Sequence, residues 1–191
     1  MKKASFTLFF CATLILSGCK NDKKNEDRAT PVDSNQTTQS NEARKLRVTL
    51  EPKSGSNLSG NVVFSQENGE VSMTAIIDGL SEGLHAIHIH ESADCSAQDG
   101  SSAGGHWNPT KERHGKWGDS QGYHRGDIGN FKVDANGNGT ITMTTDQWCI
   151  GCDDANKNII GKAIVIHDGV DDFTSQPAGD AGTRVGCGSI R

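Results

Sequence analysis

Six of the seven histidines in this 191-residue chain fall in one window: His85, His88, His90, His106, His114 and His124. The seventh, His167, ends an apolar run much later. His88-Ile89-His90 places two imidazoles on one face of a strand, because strand side chains repeat every two residues. His106, His114 and His124 follow at spacings of eight and ten in Gly-rich sequence, with Asp127 three residues beyond. Little else in the chain is reactive. Imidazole nitrogen suits copper and zinc, and three imidazoles joined by one carboxylate suit zinc. The chemistry these residues offer is therefore metal binding, at one site or two. An apolar sheet face has no use for His-x-His, and no amphipathic pattern accounts for the spacing.

The elements that must position these ligands are strands. Alternation runs through Leu46–Leu50, Val62–Phe64, Val71–Ile76, Ala86–His90, Phe131–Val133, Thr140–Met143 and Ala163–Ile166. Between them stand the turn signals Glu67-Asn68-Gly69, Asp78-Gly79 and Asn136-Gly137-Asn138-Gly139. No helical period of apolar residues exists after Leu16. Many short strands with Gly-rich turns predict an all-β sandwich or barrel. Two long segments, 91–127 and 168–184, are poor in strand signal, and loops of this length in a compact domain are usually functional. The first holds most of the candidate ligands.

The ends carry a different signal. Met1-Lys2-Lys3, an apolar stretch from Phe6 to Leu16 and then Leu16-Ser17-Gly18-Cys19 read as a signal peptide over residues 1–18, too short to span a membrane. The Leu-Ser-Gly-Cys ending resembles a bacterial lipobox, which implies cleavage before Cys19 and lipid on its sulfur. Such an anchor would hold the protein on a lipid bilayer in a bacterial cell envelope, at the periplasmic or surface face of an outer membrane. Residues 19–45 are rich in Asn, Asp, Lys, Thr, Gln and Ser, and read as a disordered tether. Residues 46–191 are then a single domain. The formal charge of −5 falls to −7 once Lys2 and Lys3 leave, and an acidic domain does not look like a nucleic-acid binder. Four cysteines remain beyond the tether: Cys95, Cys149, Cys152 and Cys187. An exported location permits disulfides.

Several segments together resemble one family. Gly83–His90 is similar to the copper-binding strand of Cu,Zn superoxide dismutase. Matching stretches follow in Gly104–Pro109, His114-Gly115, His124–Asn130, Ile160–His167 and Ala181–Gly188, so the resemblance covers roughly residues 46–190. It implies a Greek-key sandwich or flattened barrel of about eight antiparallel strands. It also implies copper held by His88, His90, His106 and His167, and zinc held by His106, His114, His124 and Asp127. His106 would bridge the two ions as an imidazolate. His85, on the opposite face from His88, would be structural. Asp171 would hydrogen-bond one copper histidine and one zinc histidine, with Asp172 as its neighbour in sequence. Arg184 would dock the anionic substrate, and Cys95–Cys187 would be a disulfide. A closure over that separation is worth roughly 4–5 kcal/mol in the chain-entropy model.

The resemblance further implies an enzyme: dismutation of superoxide to dioxygen and hydrogen peroxide by a copper redox cycle, with His106 taking up a proton in the reduced state. A homodimer is compatible with the family. The chain also departs from the pattern. Trp107 stands where Phe is usual, His114-Gly115-Lys116-Trp117 lacks the Gly-Pro that often follows, and the segment 168–183 has no Lys or Arg for electrostatic steering. Cys149-Ile150-Gly151-Cys152 is an addition. Its acidic neighbours Asp146, Asp153 and Asp154 disfavour a thiolate and favour a local disulfide. The competing role for that pair is copper capture, in a dismutase-like lipoprotein that binds or delivers copper.

Overall fold

The computed structural model describes residues 43–191. The expected signal peptide, Cys19 and nearly all of the expected tether lie outside the described residues. Eight strands form: β1 (Arg44–Pro52), β2 (Ser59–Glu67), β3 (Glu70–Asp78), β4 (Gly83–His90), β5 (Gly129–Val133), β6 (Gly139–Thr145), β7 (Ala163–His167) and β8 (Arg184–Ser189). All pair antiparallel, in the closed order β1-β2-β3-β6-β5-β4-β7-β8. Strands β3 and β6 are neighbours although β4 and β5 lie between them in sequence, which is the Greek-key crossing. Glu51 and Pro52 of β1 pair with Cys187 and Gly186 of β8, so the sheet closes into a barrel. The alternative of an open sandwich is thereby settled.

Local chemistry explains the elements. On β1 to β3, Val48, Leu50, Val62, Phe64, Val71, Met73, Ala75 and Ile77 point into the barrel and alternate with more exposed residues. The β2–β3 hairpin turns on Asn68 and Gly69, both at positive φ (51° and 85°), as a two-residue turn of this hand requires. Strand β4 from His85 onward and all of β7 are buried on both faces. Ile87, Ile89, Ile164 and Ile166 enter the core, whereas His88 faces outward beside Val165 and His90 beside Ala163. That outer face is covered by the long loops. On β8, Gly186 and Gly188 face the core, where a Cβ would stand 2.7 Å from Leu58 Cδ1 and 2.6 Å from Val48 Cγ1.

Two loops carry the rest. Residues 91–128, between β4 and β5, contain one 3-10 turn, Ser101–Ala103. This loop is fastened to the barrel by aromatics. Trp148, fully buried, meets Trp117 edge-on at 5.4 Å and donates from its indole to Arg125 O at 2.9 Å. Residues 168–183 connect β7 to β8. Disulfide Cys95–Cys187, with Cα atoms 5.8 Å apart, ties the first loop to β8. Disulfide Cys149–Cys152, with Cα atoms 6.0 Å apart, closes a turn before β7. Among the described residues no helix is long and apolar enough to cross a membrane.

Candidate metal centre

Strand β4 delivers His88 and His90 to one face, and β7 delivers His167 beside them. The loop 91–128 folds back over this face, held by an isolated bridge between His90 and His106 and by Trp107 N donating to Ile89 O at 2.8 Å. It brings His106, His114, His124 and Asp127. Two groups of four ligands result: His88, His90, His106 and His167, and His106, His114, His124 and Asp127. Within each group the ligand atoms lie within 4.8 Å of one another, and every member is buried. His106 belongs to both.

The hydrogen bonds leave one nitrogen of each ring free. His88 Nε2 donates to Asp171 Oδ2 at 2.9 Å, His90 Nδ1 to Gly104 O at 2.9 Å and His167 Nδ1 to Gly182 O at 3.3 Å. His114 Nε2 donates to Asp171 Oδ1 at 2.8 Å, and His124 Nε2 to Glu112 O at 3.1 Å. His106 Nδ1 faces Asp127 Oδ1 at 2.9 Å. The opposite nitrogens, His88 Nδ1, His90 Nε2, His106 Nε2, His114 Nδ1, His124 Nδ1 and His167 Nε2, are buried and have no partner. Buried polar atoms are nearly always paired, so six orphans converging on two points fit metal ligation. In the second group, Asp127 carboxylate oxygens lie 3.0 Å from His114 Nδ1 and 3.1 Å from His124 Nδ1. A tetrahedron with metal–ligand bonds of 2.0–2.1 Å has edges of about 3.3 Å, close to this spacing. His85 differs from the six. Its ring nitrogens lie 3.0 Å from His167 O and 2.9 Å from Ser81 O, so neither is free for an ion.

Charge follows burial and pairing. Burial drives His90 well below the ordinary histidine value. His106 falls to about 4 and His167 to about 3, both mainly by burial, with nearby histidines adding to the effect. His90, His106 and His167 therefore present neutral rings at neutral pH. His114 behaves oppositely. Burial pushes it down, but the Asp127 and Asp171 carboxylates that face its two nitrogens outweigh that and raise it to about 9. Both carboxyls are held below the usual carboxylate range: burial would raise them, and hydrogen bonds from the facing histidines overcome it.

Asp171, 1% exposed, spans both groups by accepting from His88 and His114. Asn130 grips its backbone in both directions at 2.8 Å. Asp172 is exposed and caps its own loop through Thr174 N and Ser175. Gly179, at φ 68°, lies over the Asp171–His114 contact, where a Cβ would meet both side chains. The carbonyls of Gly104, Glu112 and Gly182, together with Gly179, were not legible in the sequence, since a backbone oxygen has no residue type. A cavity of about 520 Å³ opens above the first group and is lined by His90, His106, His167, Asp180 and Arg184 among others. Arg184, at the start of β8, is half-buried and donates from Nη1 to Gly100 O at 2.8 Å.

A closed Greek-key barrel with a histidine-rich candidate metal centre under two loops defines the class. Residues 58–190 match the family model described as copper/zinc superoxide dismutase. The chain is 35% identical over 139 residues to the extracellular Cu-Zn superoxide dismutase of Caenorhabditis elegans, covering 70% of this chain and 61% of that protein. It is 35% identical over 144 residues to Cu-Zn superoxide dismutase 5 of Dictyostelium discoideum, covering 71% of this chain and 91% of that one. Among solved structures, a double mutant of a SOD-like protein from Bacillus subtilis is 30% identical at a TM-score of 0.66, over 75% of this chain and 95% of that one. The clock protein EA4 is 31% identical at a TM-score of 0.67, over 78% and 96%. The chain belongs to the copper/zinc superoxide dismutase family.

Proposed function

We propose that the domain is a superoxide dismutase, with copper held by His88, His90, His106 and His167 and zinc by His106, His114, His124 and Asp127. The observation that carries this reading is the set of six buried ring nitrogens without partners, each with its opposite nitrogen fixed. When bound, copper supplies a one-electron couple that superoxide can both reduce and reoxidise, and zinc supplies fixed charge without redox chemistry. The reaction takes two superoxide anions and two protons to one dioxygen and one hydrogen peroxide.

The chain's own residues have definable parts in this. Arg184 places a guanidinium at the cavity wall, where an anion entering toward His90, His106 and His167 meets it. His106 lines the cavity, and its Nε2, which has no hydrogen-bond partner, is the ring atom that can carry a proton there. Asp171 fixes the ring orientation and tautomer of His88 and His114 at once. Lipid on Cys19 would place the enzyme on a bacterial cell envelope. Cys19→Ser should then release active protein into the soluble fraction, and membrane attachment unaltered by that substitution would refute the anchor.

The competing reading is a dismutase-like domain that binds or delivers copper. One feature favours it: Asp180 lines the cavity, and the 168–183 loop has no Lys or Arg to attract an anion. One experiment separates the two. The purified soluble domain is assayed for copper and zinc content and for superoxide turnover by pulse radiolysis. Full occupancy with fast turnover supports the enzyme, and full occupancy without turnover supports the copper-binding reading.

A further inference from the structure

Because the 168–183 loop brings no cation to the cavity, anion docking in this chain falls on Arg184. Its guanidinium is aimed by Gly100 O, and Gly100 sits in the loop that starts at Cys95. That short loop has a second cationic contact. Lys53, just after β1, is 8% exposed, and its Nζ donates to Cys95 O at 2.6 Å. Lys53 does not line the cavity. A Cβ on Gly100 would stand 3.3 Å from Arg184 Cβ and 3.7 Å from Lys53 Cγ, so both side chains press on the same residue.

The turn that carries Lys53 also grips the backbone of Arg184. Lys53 N donates to Val185 O at 2.9 Å, Ser54 Oγ to Arg184 O at 2.9 Å and Ser56 Oγ to Val185 O at 2.6 Å. Ser54 N donates to Gln98 O at 2.7 Å, so the turn touches the 95–100 loop at its middle as well. A lysine ammonium is costly to bury unless it is paired and hydrogen-bonded. Here Glu51 Oε2 at 3.4 Å and Cys95 O provide partners.

We propose that Lys53 is a positioning residue for Arg184: it pins the Cys95 end of the loop whose Gly100 carbonyl aims the guanidinium. What Arg184 does rests on the dismutase reading, but how it is held does not. Without the ammonium, Cys95 O loses its partner and that end of the loop is held only by the disulfide and by Ser54 N on Gln98 O, so Gly100 O can shift. The guanidinium would then sample several directions in place of the one that faces the cavity, and misplacement of this kind costs docking efficiency.

The test compares wild type, Lys53→Met and Lys53→Arg, each loaded with copper and zinc. Metal content and the Cys95–Cys187 bond are checked by mass spectrometry. Azide, a small monoanion, is titrated by visible absorption, and the Arg184 Nε–H resonance is followed by NMR in the zinc-only protein. Lys53→Met should keep both metals and the disulfide, broaden or shift the Arg184 resonance, and weaken azide binding about threefold or more. Lys53→Arg, which can still donate to Cys95 O, should restore azide affinity to within about twofold of wild type. An unchanged Arg184 resonance and azide affinity in Lys53→Met would overturn the proposal. Loss of metal or disulfide in step with azide binding would also overturn it, since Lys53 would then be structural only. If Lys53→Met does not fold, Lys53→Gln, whose shorter stem cannot reach Cys95 O, makes the same comparison. A wild type without superoxide turnover, whose Arg184 resonance still depends on Lys53, would refute the dismutase reading and leave this inference standing.

Discussion

Each candidate ligand histidine other than His106 uses one nitrogen to be held and keeps the other bare. Removing one such ring should therefore be selective. His167→Ala takes a nitrogen from the first group alone, and it should abolish dismutation and lower copper occupancy while zinc remains, as read by metal analysis with turnover. Wild-type turnover in that variant would remove His167 from the centre. The two groups also differ in what they must shed to bind an ion. His114 is raised to about 9, so at pH 7 it carries a proton that zinc must displace from Nδ1. Zinc alone should then release about one proton per ion, and its affinity should fall as pH drops below about 9. His106 and His167, lowered to about 4 and 3, are already bare at pH 7. Copper alone should displace almost no proton from these two rings at pH 7, so it should release fewer protons than zinc. Calorimetry in buffers of different ionisation enthalpy reads both, and equal proton release for the two ions would contradict this assignment.

At the scale of elements, the barrel is a platform and the loops complete the centre. The 168–183 loop reaches the zinc-side group only because Gly179 has no side chain over Asp171 and His114. Gly179→Ala adds a Cβ where none fits and strains a left-handed backbone by about 1–2 kcal/mol. It should lower thermal stability and displace Asp171, so zinc should dissociate measurably faster than from wild type. Unchanged zinc retention would show that the loop can yield at this point. The Cys149–Cys152 turn lies elsewhere, beside the buried Trp148, with Cys149 N donating to Lys157 O at 2.8 Å. It touches no ligand. A Cys149→Ser/Cys152→Ser variant should keep its metals and most of its activity and melt at a lower temperature. Copper lost from that variant would favour the capture role.

At the scale of the whole molecule, charge opposes the proposed substrate. The chain is acidic overall, and Asp180 stands at the wall of the same cavity as Arg184. A carboxylate there repels an incoming anion and offsets part of the guanidinium's attraction. Asp180→Asn should raise the second-order rate with superoxide by about two- to fivefold at low salt, and the gain should shrink as ionic strength rises. A rate unaltered by Asp180→Asn across that range would show that guidance comes from elsewhere on the surface.

The sequence by itself determined the ligand types, the all-β class and most strand positions. His-x-His, the glycine-framed histidines and the period-two apolar pattern are local facts, and local chemistry enforces them. It understated strand lengths: β1 starts at Arg44 and β2 runs to Glu67, because polar residues facing water pair in the ladder without adding to the apolar pattern. Strand β8 was legible only through family resemblance, since Val-Gly-Cys-Gly has no alternating apolar face and its glycines make room for Leu58 and Val48. Only the tertiary structure decided closure of the barrel, which depends on Glu51 and Pro52 meeting Cys187 and Gly186 across the whole chain. It alone decided that Asp171 and not Asp172 turns inward. It alone supplied the carbonyls of Gly104, Glu112 and Gly182 that orient the rings, because a backbone oxygen acquires a role only when folding brings a distant side chain to it.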